Sequence, residues 1–122
     1  MSSTSERSRG WSHGEYVEHR KRDVLQTVQQ VENGAVGLLL AVREINGALH
    51  EVPELEKRVR EADFLFLTGV SSECDELPLG TERQYWAPES LREKDLRAQF
   101  YEERIREDIL SALARIADDL SK

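Results

Sequence analysis

The feature that most constrains this chain is the apolar pattern after Pro88, where Leu91, Leu96, Phe100, Ile105, Ile109, Leu113, Ile116 and Leu120 recur over about thirty residues. Steps mostly of four, with fives and a three, predict one long, slightly bent helix with a single apolar face. Pro88 fits its first turn, where a missing N–H costs nothing. Arg and Glu neighbours three and four residues apart on the outer face support it further. A helix of that length in a chain of 122 residues leaves room for one domain in which shorter helices are clasped by the long one.

The shorter helices can be read upstream. Val17, Val24, Val28 and Val31 lie on one face, and Ser12 with Glu15 forms an SxxE capping box at its start. Asn33 and Gly34 supply the stop, since both tolerate the left-handed backbone that ends helices. Leu38, Val42, Ile45, Leu49 and Val52 then mark the most buried helix. Gly37 and Gly47 each lower its propensity by about 1 kcal/mol, which close packing against a neighbour is expected to offset. The corner between these two helices is short, so they should lie antiparallel or be sharply bent against each other. Pro53 opens another turn or two that carries Leu55, Val59 and Ala62 inward. FLFLTGV, from Phe64, reads as a strand or a helix over so few residues. With no second strand to pair it, helix as far as about Cys74, capped by Asp63, is the expectation. The fold class is therefore all-α, a compact bundle of four to five helices with a long C-terminal helix. Residues 1–11 are expected to be a Ser/Arg-rich mobile tail, and residues 12–122 one helical domain.

A net charge of −7 disfavours generic nucleic-acid and anionic-membrane binding and favours a basic or charge-complementary protein partner. The first residues lack a secretion signal, and the longest apolar run, Ala35 to Val42, is too short to span a bilayer. A single cysteine, Cys74, forms no intramolecular disulfide, and the expected location is the cytoplasm. No cofactor motif is present.

The stretch from Phe64 to Trp86 is the one that helical periodicity does not explain. Glu73, Asp75 and Glu76 crowd before a Leu-Pro-Leu-Gly turn, and Glu32 and Glu44 lie on helices that can reach the same end of a bundle. Converging carboxylates are how bundle enzymes hold hard divalent cations, so Glu73, Asp75 and Glu44 form an alternative metal set. The plainer reading is a chance cluster in a chain with 24 acidic residues and no paired ExxE or ExxH arrangement. Arg83 either pairs with Glu73 or Asp75, stacks on Trp86, or reaches for an anionic ligand. Cys74 beside acids should have a raised thiol pKa and a structural role. Phe100 is placed in the core by its spacing, Trp86 is expected to cap the core, and Tyr85 is expected to be an exposed anchor. His13, His19 and His50 have no ligand spacing.

Two segments, ENGAVGLLLAVREI at Glu32 to Ile45 and FLFLTGVSSECDELPLGTERQYWAPESLREKD at Phe64 to Asp95, resemble a family of small uncharacterised bacterial all-helical proteins. In that family a segment like GEIGVIEGCRKI precedes one like FVGIDSETDHLPIGxxRxxW. The resemblance points to Glu32, Gly34, Gly37, Arg43, Ser72, Glu73, Asp75, Leu77, Pro78, Gly80, Arg83 and Trp86. This chain departs from the pattern at Leu40, Cys74 and Glu76, the positions whose counterparts could bind or titrate. The resemblance implies no activity, and some small acidic helical proteins of this kind are immunity proteins. The leading expectation is a non-enzymatic interaction domain, in its most concrete form an immunity-type protein that neutralises a toxin. The alternatives are a metal-dependent hydrolase or anionic-ligand domain centred on Glu73, Asp75 and Arg83, and a homodimer formed through the long helix.

Overall fold

The structure, a computed structural model, describes residues 12–75, 77 and 81–122. The tail through Trp11, and Glu76, Pro78, Leu79 and Gly80 of the central stretch, lie outside the described residues. The elements are α1 (His13–Glu32), α2 (Leu38–Glu51), the single turn α3 (Pro53–Glu56), α4 (Glu61–Glu73), a 3-10 helix (Thr81–Tyr85) and α5 (Pro88–Ser121). The all-α expectation holds, and no strand occurs among the described residues.

Local chemistry sets the helix ends. The Ser12 hydroxyl accepts from the Glu15 N–H while the Glu15 carboxylate accepts from the Ser12 N–H, completing the capping box. At the other end Asn33 caps α1 and Gly34 turns the chain at φ +75°. Pro53 and Pro88 stand in first turns as their missing N–H groups require. Helix α4 begins after Arg60, so Asp63 lies within its first turn and not at the cap.

Successive long helices run antiparallel. Arg20 Nε reaches Glu51 between α1 and α2. Asn46 donates to Thr68 at 2.9 Å, and the His50 and Phe64 rings stand 4.8 Å apart, so α2 descends as α4 rises. Asp63 faces Arg115 while Glu73 borders a groove with Tyr101, which reverses α5 against α4. The core comprises Val24 and Val28 from α1, the apolar face of α2, Val52, Leu55 and Val59, then Leu67, Val70, Cys74 and Leu77. Helix α5 contributes Ile109, Ala112, Leu113, Ile116 and Leu120. Ala62 is exposed, unlike Leu55 and Val59.

Only the C-terminal part of α5 is buried. Its 34 residues extend about 51 Å, against about 21 Å for α2 and about 20 Å for α4. Leu96 is 57% and Phe100 67% exposed, which corrects the placement of Phe100 in the core. The steps of five around them are the cause. At about 100° per residue, Leu96 and Phe100 sit some 100–180° round the helix from Ile109, Leu113, Ile116 and Leu120. The apolar residues of α5 thus form two stripes, the core-facing one continued upstream by Ile105, Tyr101 and Ala98.

Two sets of polar contacts fix how the helices meet. Arg115 clasps Asp63, donating from Nε at 3.1 and 3.0 Å and from Nη2 at 2.8 Å. The Asp63 side chain is 6% exposed and that of Arg115 44%. Arg58 donates to the Leu120 and Lys122 carbonyls at 2.8 and 2.9 Å, satisfying orphan acceptors at the α5 terminus. Arg115→Ala is expected to lower the urea midpoint more than Asp63→Ala does. The first leaves a buried carboxylate unpaired, whereas the second leaves a guanidinium that water reaches. The reverse order would show that the pair is not organised by the buried acid.

Gly47 departs from expectation. A Cβ built there meets nothing within 4 Å, so no close packing offsets its cost. Gly47→Ala should stabilise the protein by about 1 kcal/mol in chemical denaturation, and a destabilisation would contradict the open environment of that position.

Candidate functional site

Among the described residues, the carboxylates singled out in sequence do not converge. Glu32, the last residue of α1, borders a cleft with Val28, Val31, Arg106 and Leu110. Glu44 borders a separate concavity with Arg20 and Asp23, and Glu73, the last residue of α4, a third. Asp75 is exposed just beyond. Among the described residues no group of three or more His, Cys, Asp or Glu is arranged to hold a metal ion.

Cys74 is buried, at 1% exposure. Burial pushes its thiol up to about 11, the Asp75 and Glu73 charges push the same way, and Arg43 opposes them. The sequence reading identified the carboxylates, but burial is the larger cause. Tyr101 nearby is raised as well, first by burial and then by Cys74 and Glu73, with Arg104 opposing.

The segment after the turn is held from two sides. Arg43 Nη1 of α2 pairs with Glu82 at 3.0 Å. The Arg83 guanidinium forms a fork onto both Asp95 oxygens of α5, at 2.7 and 3.0 Å. Its described carboxylate partner is therefore Asp95, not the expected Glu73 or Asp75. That pair holds the Asp95 carboxyl below the ordinary carboxylate range. Trp86 is half-buried and lies outside the core cluster, with the Lys94 ammonium 5.9 Å from its ring centroid. Tyr85, between these anchors, is 82% exposed, as expected of an exposed aromatic.

Sequence reasoning missed the groove beside α5. It encloses about 420 Å³ between the end of α4 and the outer flank of α5, lined by Glu73, Leu77, Arg97, Phe100, Tyr101 and Arg104. Arg97 and Arg104 are two helical turns apart and so lie on one flank, with Tyr101 between them. Neither has a carboxylate within ion-pair distance among the described residues, whereas Arg20, Arg43, Arg60, Arg83, Arg106 and Arg115 all do. The signal was present as two aromatics bracketed by arginines at helical spacing. It is hidden in the sequence because the spacing of Phe100 points to the core. No helix among the described residues is long and apolar enough to cross a membrane. Comparisons with protein-family models, with curated proteins and with solved structures return no match.

The native thiol is expected to resist a disulfide-exchange reagent at about pH 8 and to react fully once unfolded. Its raised pKa means the folded state holds the neutral thiol more tightly. That contribution is complete below the ordinary thiol range and is lost as pH rises through about 11, so Cys74→Ser should shallow the alkaline decline in stability. Rapid reaction of the native thiol would contradict its burial.

Proposed function

We propose that this chain is a non-enzymatic protein-interaction domain, in its most concrete form an immunity-type protein that binds and neutralises a toxin. The observation that carries the reading is where large apolar side chains face solvent. Leu65, Tyr85, Leu96 and Phe100 are the large hydrophobics exposed among the described residues, and three of those four fall between residues 85 and 100. Exposed aromatic and aliphatic residues on a rigid element are what interface anchors are made of. Two ion pairs hold the 3-10 helix beside Tyr85, so this anchor is fixed before a partner arrives. The net charge of −7 supports the immunity version, because it speeds encounter with a basic target. The dispersal of Glu32, Glu44 and Glu73 over three hollows gives the metal-dependent alternative no comparable support.

The test is calorimetric titration of the purified chain with the products of adjacent genes. A saturable complex is expected, weakened at least about tenfold in Leu96→Ser/Phe100→Ser, a loss of about 1.4 kcal/mol. Absence of any complex at micromolar concentration would end the toxin-neutralising version.

A further inference from the structure

Beyond the existence of a partner, the groove beside α5 specifies its local chemistry. We infer that this groove docks an acidic, amphipathic segment of a partner protein, whose carboxylates meet Arg97 and Arg104 and whose apolar residues cover Phe100 and Leu96. This inference deepens the interaction reading above and rests on it.

The argument begins with the two guanidiniums. Six other arginines pair with carboxylates, whereas Arg22, Arg58 and Arg92 form no such pair among the described residues. Arg97 and Arg104 have none among the described residues, although both border a concave surface. Leu77, 5% exposed, and Tyr101 make the inner wall apolar and aromatic, and Phe100 forms the outer lip at 67% exposure. A largely polar cleft in which Leu77, Phe100 and Tyr101 lie beside two open guanidiniums is complementary to a chain that alternates carboxylates with aliphatic groups. Glu73 stands on the facing wall, so the carboxylates must enter on the α5 side.

The overall charge of −7 does not argue against this. Screening confines exposed charges to about 8–10 Å at physiological salt, so the nearest side chains set the preference of a groove this small. The net charge acts on encounter from further away. A second copy of the chain fits less well. In an antiparallel pairing centred on Leu96 and Phe100, Arg92 of one copy opposes Arg104 of the other and Glu93 opposes Glu103, so like charges repel.

Two synthetic peptides of about fifteen residues test the inference, one with Leu at helical spacing among Glu and the other with Lys in place of Glu, each followed by fluorescence anisotropy. The Glu peptide should bind saturably and more weakly as salt rises, and the Lys peptide should not. Affinity should fall at least about tenfold in Arg97→Glu/Arg104→Glu and in Phe100→Ser, yet stay within about threefold in Arg97→Lys/Arg104→Lys. These side chains are exposed or form no described pair, so unchanged circular dichroism should accompany each variant. Equal binding of both peptides, no saturable binding, or indifference to the charge reversal would overturn the inference. So would a dimer in sedimentation that Phe100→Ser disperses, because a second copy would then hold the face. If a partner complex survives Arg97→Glu/Arg104→Glu but is lost in Leu96→Ser/Phe100→Ser, the interaction reading stands and the acidic-segment inference falls.

Discussion

The structure depends on a mismatch of lengths. Helix α5 runs about 51 Å, and the helices it packs on are less than half as long apart from α1 at about 30 Å. A helix can bury only the length that its neighbours cover. Ile109, Leu113, Ile116 and Leu120 are therefore sealed against α1, α2 and α4, while Leu96 and Phe100, upstream and turned away from that face, stay in solvent. Since burying such a side chain is worth about 1.5–3 kcal/mol, two left exposed forgo stabilisation that a partner surface can supply.

Polar contacts make up for what packing does not provide. The Asp63–Arg115 fork and the Arg58 contacts to the last carbonyls lock the C-terminal half of α5 to α4 and to the segment before it. At the other end apolar cover is thin. Arg83 with Asp95, and Arg43 with Glu82, hold the 3-10 helix between α2 and α5. Exposed ion pairs of this kind add little to stability, but two of them on one short segment fix its position. The 3-10 helix is thus a strap with an exposed tyrosine, and Cys74 before it is buried with its thiol pKa pushed up to about 11.

Much of the fold was legible in the sequence because local rules agree with the tertiary result. The Ser12–Glu15 box, the Asn33–Gly34 stop, Pro53 and Pro88 sit where cap chemistry puts them, and Phe64 to Val70 is helical as the lack of a pairing strand required. Phe100 was misread for a physical reason. Spacing identifies a face, but not whether another element covers it, and two steps of five had already moved Leu96 and Phe100 off the core face. For Arg83 the sequence offers Glu73, Asp75, Trp86 or an anionic ligand as partners, whereas Asp95 comes close only through the path of the chain into α5. Nor could the burial of Cys74 and the openness of Gly47 be read locally, since both depend on what packs opposite.

The central claim is that α5 is one helix with two fates, a core half and a presented half. Native-state amide hydrogen exchange along residues 88–121 tests it most directly. Amides from Ile109 to Leu120 are expected to exchange only on global unfolding, and those from Leu91 to Phe100 through local opening at clearly lower free energy. Uniform protection along the whole helix would contradict the account, because it would require a cover over Leu96 and Phe100 that the bundle does not provide.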